Sequence, residues 1–189
     1  MADTRAKDAC KDLIGKRGPA TFTPTEVTVT EIWDFMNAIE DPNPIYWDPD
    51  VAKASKFGRV VSPPQMTMRG GVAFMAWIPE WLREQRESEA GEGEENPSAR
   101  VTEIIRGLGY TTLTNVERED LYFEMYGPGD GRLKTVGYTE DVSEEKMTRV
   151  GPGIFITSVS EARTEHGDRL VSRTRNKLMM YDGTRPGKS

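Results

Sequence analysis

Asp41-Pro42-Asn43-Pro44-Ile45-Tyr46-Trp47-Asp48 is the stretch on which the reading of this chain turns. Each X-Pro step biases the residue before it away from helical geometry. Asp48-Pro49 then reads as a helix start, with proline at the first helical position, where its missing N–H costs nothing. The segment is therefore expected to be a short, stiff, irregular piece between two helices that fixes Asp41, Asn43 and Tyr46 relative to one another. Rigid polar loops on a packed scaffold are where binding and catalysis concentrate. The plainer reading is an inter-helix turn in which Asp41 and Asn43 only satisfy backbone amides.

Working outward, Thr28-Val29-Thr30-Glu31 has capping-box spacing, which lets the threonine hydroxyl and the glutamate exchange bonds with each other's amides. Ile32, Phe35, Met36 and Ile39 follow at helical spacing and predict one buried helical face that stops before Pro42. A shorter helix is expected over 3–15, then an extended lead-in from Thr21 to Val29, where Pro24 suits an edge strand. Downstream, the helix opened by Asp48-Pro49 runs to Lys56, and Phe57 to Pro64 is a loop. Gln65 to Ile78 is apolar on most sides, which predicts a buried helix, and Gly70-Gly71 suggests close packing on a sheet.

Residues 80–99 are Glu-rich and dotted with glycine, the composition of a solvated, mobile acidic insertion. Strand chemistry follows over Thr111–Tyr126, Leu133–Val142, Ile154–Thr164 and Leu170–Tyr181, with a period near two. The last pair forms a hairpin across Glu165-His166-Gly167-Asp168. Helices combined with an antiparallel sheet make an α+β domain, a single one over residues 1–189.

Composition removes several function classes. A net charge of −6 leaves no basic stripe for nucleic acid. No apolar run approaches membrane-spanning length, and the N-terminus lacks the apolar core of a signal peptide. Cys10 is the one cysteine, so no internal disulfide forms, which fits a reducing compartment and a cytoplasmic protein. With His166 the one histidine, placed at a hairpin tip, a soft-metal site has no ligand set.

The residues Asp41 to Asp48, then Phe57-Gly58 and Val61-Ser62-Pro63-Pro64-Gln65-Met66, resemble the hydratase motif of the MaoC-like hot-dog family. That motif reads Asp-x-Asn-Pro-x-His-x-Asp, then a phenylalanine, then Gly-Met at the start of a central helix. The second half adds Gly109-Tyr110, Asn115, Gly127-Pro128-Gly129-Asp130, Val142-Ser143, Lys146-Met147-Thr148 and Gly151 to Thr157. These resemble the N-terminal MaoC-like domain of actinobacterial proteins that pair with a short MaoC-like subunit. Together such pairs make a heteromeric enoyl-CoA hydratase for steroid side-chain CoA esters.

The resemblance implies a hot-dog fold, an antiparallel sheet wrapped around a central buried helix. It also implies an acyl-CoA substrate, no separate cofactor, and a catalytic pair made of the motif Asp and His. A glycine N–H would stabilise the thioester enolate oxygen, as an oxyanion hole does. This chain departs at three of those positions. Tyr46 replaces the histidine, and an unperturbed phenol, with a pKa of about 10, is a poor base at neutral pH. Pro64 replaces the glycine and has no N–H to donate. Val72 replaces a serine of the central helix.

The motif Asp41, Asn43, Tyr46, Pro64 is thus degenerate, and no catalytic residue is expected in this chain. Tyr46, Pro64, Met66, Met68 and Met75 are expected to line a widened acyl cavity, since methionine adapts to bulky apolar groups. For any one of them ordinary core packing is the competing reading. Lys53, Lys56 and Arg59 flank the motif as candidates for CoA phosphates, against a role as solvated surface.

Two other functions fit the same residues. One is a self-sufficient hydratase or thioesterase that activates water with Asp41. The other is a scaffold module that recruits a thiolase or thiolase-like aldolase, in which Thr184 to Ser189 starts a linker.

Overall fold

The computed structural model describes residues 3–70 and 95–184, without the side chains of 68–70. Helix α1 spans Arg5–Cys10 and tightens into a 3-10 turn at Lys11–Leu13. Strand β1 is the short Thr21–Phe22. Helix α2 covers Val29–Ala38, and its capping box forms as the spacing predicts: Glu31 N–H donates to the Thr28 hydroxyl at 3.2 Å while the Glu31 carboxylate accepts from Thr28 N–H at 2.8 Å. Helix α3 spans Pro49–Ala54. Met66 lies in a 3-10 segment over Pro64–Gly70 rather than in an α-helix, and the rest of the expected Gln65–Ile78 helix lies outside the described residues.

The acidic insertion needs correcting at its C-terminal end. Helix α4 spans Pro97–Gly107, capped by Asn96, whose Oδ1 accepts from Ser98 N–H at 3.0 Å. Val101 and Ile105 are its buried stripe. Residues 80–94 lie outside the described residues.

Four long strands follow: β2 at Thr112–Tyr122, β3 at Leu133–Val142, β5 at Gly151–Thr164 and β6 at Leu170–Tyr181, with the short β4 at Lys146–Thr148. They form an antiparallel sheet in the order β1-β3-β5-β6-β2, with β4 paired to β5. Ile154 lies opposite Met180 and Ile156 opposite Leu178, so the predicted alternation puts both pairs on one face.

That face carries two cores. At one end α1 and α4 pack Ala6, Cys10, Val101, Ile105 and Tyr110 onto Val142, Ile154, Ile156 and Met180. Cys10 is a packed apolar group there, and burial pushes its thiol pKa up. At the other end α2 and the Pro64–Gly70 segment pack Ile32, Met36 and Met66 onto Tyr126, Leu133 and Val171. Each fully buried Val, Leu or Ile contributes about 1.5–3 kcal/mol. The second core sits directly under the Asp41–Asp48 segment.

Candidate functional site

Helix α2 delivers the motif through a Schellman ending. Asp41 N–H donates to Met36 O at 3.1 Å and Glu40 N–H to Asn37 O at 3.3 Å, the paired bonds that close such a terminus. This needs a left-handed residue, and Glu40 adopts φ +55° without being glycine. Strain of this kind costs an L residue about 1–2 kcal/mol.

From there each polar residue of the motif caps the amide two residues on. Asp41 Oδ1 accepts from Asn43 N–H at 2.9 Å, Asn43 Oδ1 from Ile45 N–H at 3.3 Å, and Asp48 Oδ1 from Asp50 N–H at 2.9 Å. These Asx turns coil Pro44–Tyr46 into one 3-10 turn and start α3. Through these oxygens Asp41 and Asn43 are backbone-amide partners, as the plainer sequence reading expects.

Tyr46 is half-buried and packs against the second core beside Phe35 and Val60. Burial, then the charge of Asp41, pushes its phenol pKa above the ordinary tyrosine value. Both effects disfavour the phenolate, so even less of the basic form is available at neutral pH than the residue type implies. Pro64 opens its 3-10 segment, and its carbonyl accepts from the Thr67 hydroxyl at 2.8 Å. Met66 is buried in the same core as Tyr46. The side chain of Met68, together with Val72 and Met75, lies outside the described residues.

The flanking cations divide. Lys53 and Lys56 are exposed. Arg59 is engaged: it donates to Asp130 Oδ2 at 2.5 Å and to Pro128 O at 3.2 Å. It therefore ties the loop before Pro64 to the Gly127–Asp130 turn. Burial alone would push the Asp130 carboxyl up, but bonds from Arg59 and the Gly127 amide, with the charges of Arg59 and Arg169, hold it below the ordinary aspartate range. Gly127 makes the close approach possible, since a Cβ there would stand 2.8 Å from Val60 O.

A cavity of about 460 Å³ opens on the α2 side of the motif. Its walls are Trp33, Met36, Asn37, Asp41, Pro42 and Trp47. Of the expected site residues it takes in Asp41 and not Tyr46, Pro64 or Met66. Trp33, Asn37 and Trp47 carried no signal in the sequence reading. Trp33 and Asn37 stand one helical turn apart on the exposed side of α2, the one legible hint.

Residues 13–173 match the family described as FAS1-like, dehydratase domain region. The chain belongs to that family. A UPF0336 protein of Streptomyces avermitilis is 41% identical over 132 residues, covering 70% of this chain and 72% of that protein. A Thermomonospora curvata protein named "Probable enoyl-CoA hydratase alpha subunit" is 31% identical over 159 residues, covering 82% of this chain. The match spans only 45% of that longer relative's length. Among solved structures, the ChsH1-ChsH2 complex from Mycobacterium tuberculosis contains a chain that superposes with a TM-score of 0.72 at 20% identity, over 98% of this chain and 94% of its own. The fold is the hot-dog fold of the MaoC-like dehydratases, as the sequence resemblance implied.

Proposed function

We propose that this chain is the non-catalytic, acyl-accommodating subunit of a heteromeric enoyl-CoA hydratase in the cytoplasm. The complex adds water to a 2-enoyl-CoA to give the 3-hydroxyacyl-CoA, and its substrates are bulky steroid side-chain esters. The observation that carries this is Tyr46: a half-buried phenol packed against the second core, with its pKa raised, stands where the family's motif has the histidine. Pro64, in place of the glycine, removes the oxyanion donor as well.

A partner chain then supplies the Asp/His pair. The names of the Thermomonospora and Mycobacterium relatives, an alpha subunit and a complex, support a multi-subunit assembly. So does β2, an edge strand of 11 residues among the described ones, with Leu113, Val116, Leu121 and Tyr122 exposed. Long open edges of this kind call for pairing or cover, and a second hot-dog chain adding its own edge strand provides that.

The test is hydration of a steroid side-chain enoyl-CoA by this chain alone and mixed with a short MaoC-like partner, followed by loss of the conjugated enoyl absorbance. Activity is expected only in the mixture, abolished by mutating the partner's histidine, with kcat retained in Asp41→Asn of this chain. Turnover by the pure chain, lost in Asp41→Asn, would establish instead a self-sufficient hydratase or thioesterase.

A further inference from the structure

The groove between α2 and the motif has a composition that an acyl chain does not explain. Two indoles face it, Trp33 at 43% and Trp47 at 44% exposure. The Trp47 ring is set in place, because its Nε1–H donates to Pro42 O at 3.2 Å. Trp33 stands on a capped helix whose other face is buried. Rigid aromatic walls of this sort offer stacking to a flat π system.

The polar groups narrow the ligand further. Asp41 spends Oδ1 on the Asn43 amide; among the described residues its Oδ2 accepts no hydrogen bond, so it stands ready for an N–H donor. Asn37 offers a donor and an acceptor on the same wall, the pattern that pairs with the N6 and N7 edge of adenine. Among the described residues Asp41 is the one ionisable wall residue, which disfavours anions and leaves any phosphate outside. Saturated rings and alkyl chains bring neither a π face nor an N–H. The volume, about 460 Å³, falls in the range of small-ligand sites.

We propose that this groove binds an adenine ring, stacked against Trp33 and Trp47 and read by Asn37 and Asp41. The ring belongs either to the nucleotide end of the CoA thioester, which rests on the function proposed above, or to a free adenine nucleotide.

The full chain is titrated with adenosine 3′,5′-bisphosphate, its inosine counterpart, CoA and phosphopantetheine. Tryptophan fluorescence and saturation transfer to the adenine protons report binding. The adenine nucleotide and CoA are expected to bind, and phosphopantetheine not to compete. Trp33→Ala and Trp47→Ala each weaken binding by about tenfold, the scale of one lost base–aromatic stack. Inosine binds about fivefold more weakly, the scale of one hydrogen bond, and Asp41→Asn narrows that gap.

CoA binding far tighter than the free nucleotide assigns the groove to the thioester, and equal affinity assigns it to the nucleotide. No saturable adenine binding, or binding indifferent to both tryptophans and to the adenine–inosine change, overturns the proposal. Should Trp47→Ala fail to fold, Trp33→Ala and the inosine comparison decide. Adenine binding without hydration in any mixture leaves this site standing and removes the hydratase reading; hydration without adenine binding does the reverse.

Discussion

Asp41 and Asp130 each sit in a proline-containing turn, yet the chain treats them in opposite ways. Asp41 bonds one amide two residues away. Asp130 takes the Gly127 amide and the guanidinium groups of Arg59 and Arg169, which come from far apart in the sequence. The contrast separates two jobs for the same side chain. The motif is a locally wound object whose carboxylate is left with spare acceptor capacity, while strong charge pairing is kept for joining distant segments. Glu161 on β5 repeats the Asp130 pattern, nearly buried and bonded by Arg17 and Arg173.

The largest effect that would break this comparison is expected at Asp130. Asp130→Ala leaves Arg59, Arg169 and the Gly127 amide without their shared partner and should cost about 3 kcal/mol in urea unfolding. A loss under 1 kcal/mol would mean the turn is held by packing alone. Glu161→Gln comes next, at about 2 kcal/mol, because its arginines are partly exposed and solvent screens them. Burial pushes the Glu161 carboxyl up, but the bonds and charges of Arg173 and Arg17 outweigh it and hold it below the usual range.

Both carboxyls, lowered in the folded state, contribute stability that is complete above their unfolded values of about 4 and lost as pH falls through the folded ones. Acid unfolding followed by circular dichroism should therefore flatten below about pH 4 in the Asp130→Asn, Glu161→Gln double variant. An unchanged profile would place the acid sensitivity elsewhere.

Smaller effects sharpen the local side of the comparison. Asn43→Ala removes one cap and should cost about 1 kcal/mol, read by thermal unfolding, with no coupling to Asp130→Ala in a double-mutant cycle. Glu40→Gly relieves the left-handed residue ahead of Asp41 and should raise stability by about 0.5 kcal/mol. A decrease would show that the Glu40 side chain supports the turn.

Legibility in the sequence followed the same division between local and distant. Thr28 with Glu31, and Asp48 with Pro49, were readable because each signal lies within four residues and has one geometric meaning. The limits of β3, and the shared facing of Ile154 with Ile156 and of Leu178 with Met180, follow from alternation; the register between them comes from the structure. Helix α4 is hidden behind the acidic run, whose composition carries on to its first turn, although Asn96-Pro97 is a start signal and Val101, Ile104, Ile105 and Leu108 keep helical spacing. The tie from Arg59 to Asp130 was not readable at all, since nothing local distinguishes a paired arginine from a phosphate-binding one. The tryptophan groove escaped for a similar reason: it joins an exposed helix face to a turn that folds back beside it.

Strand β2 has one further consequence, concerning synthesis. Among the described residues it pairs only with β6, the last of the described strands to be made. As the chain emerges, β2 waits with both edges bare until β5 and β6 have formed their hairpin. Long-range strand closure of this kind is slow, and the waiting strand is exposed to wrong partners. Lower growth temperature, which slows aggregation during that interval, should therefore raise the yield of folded protein.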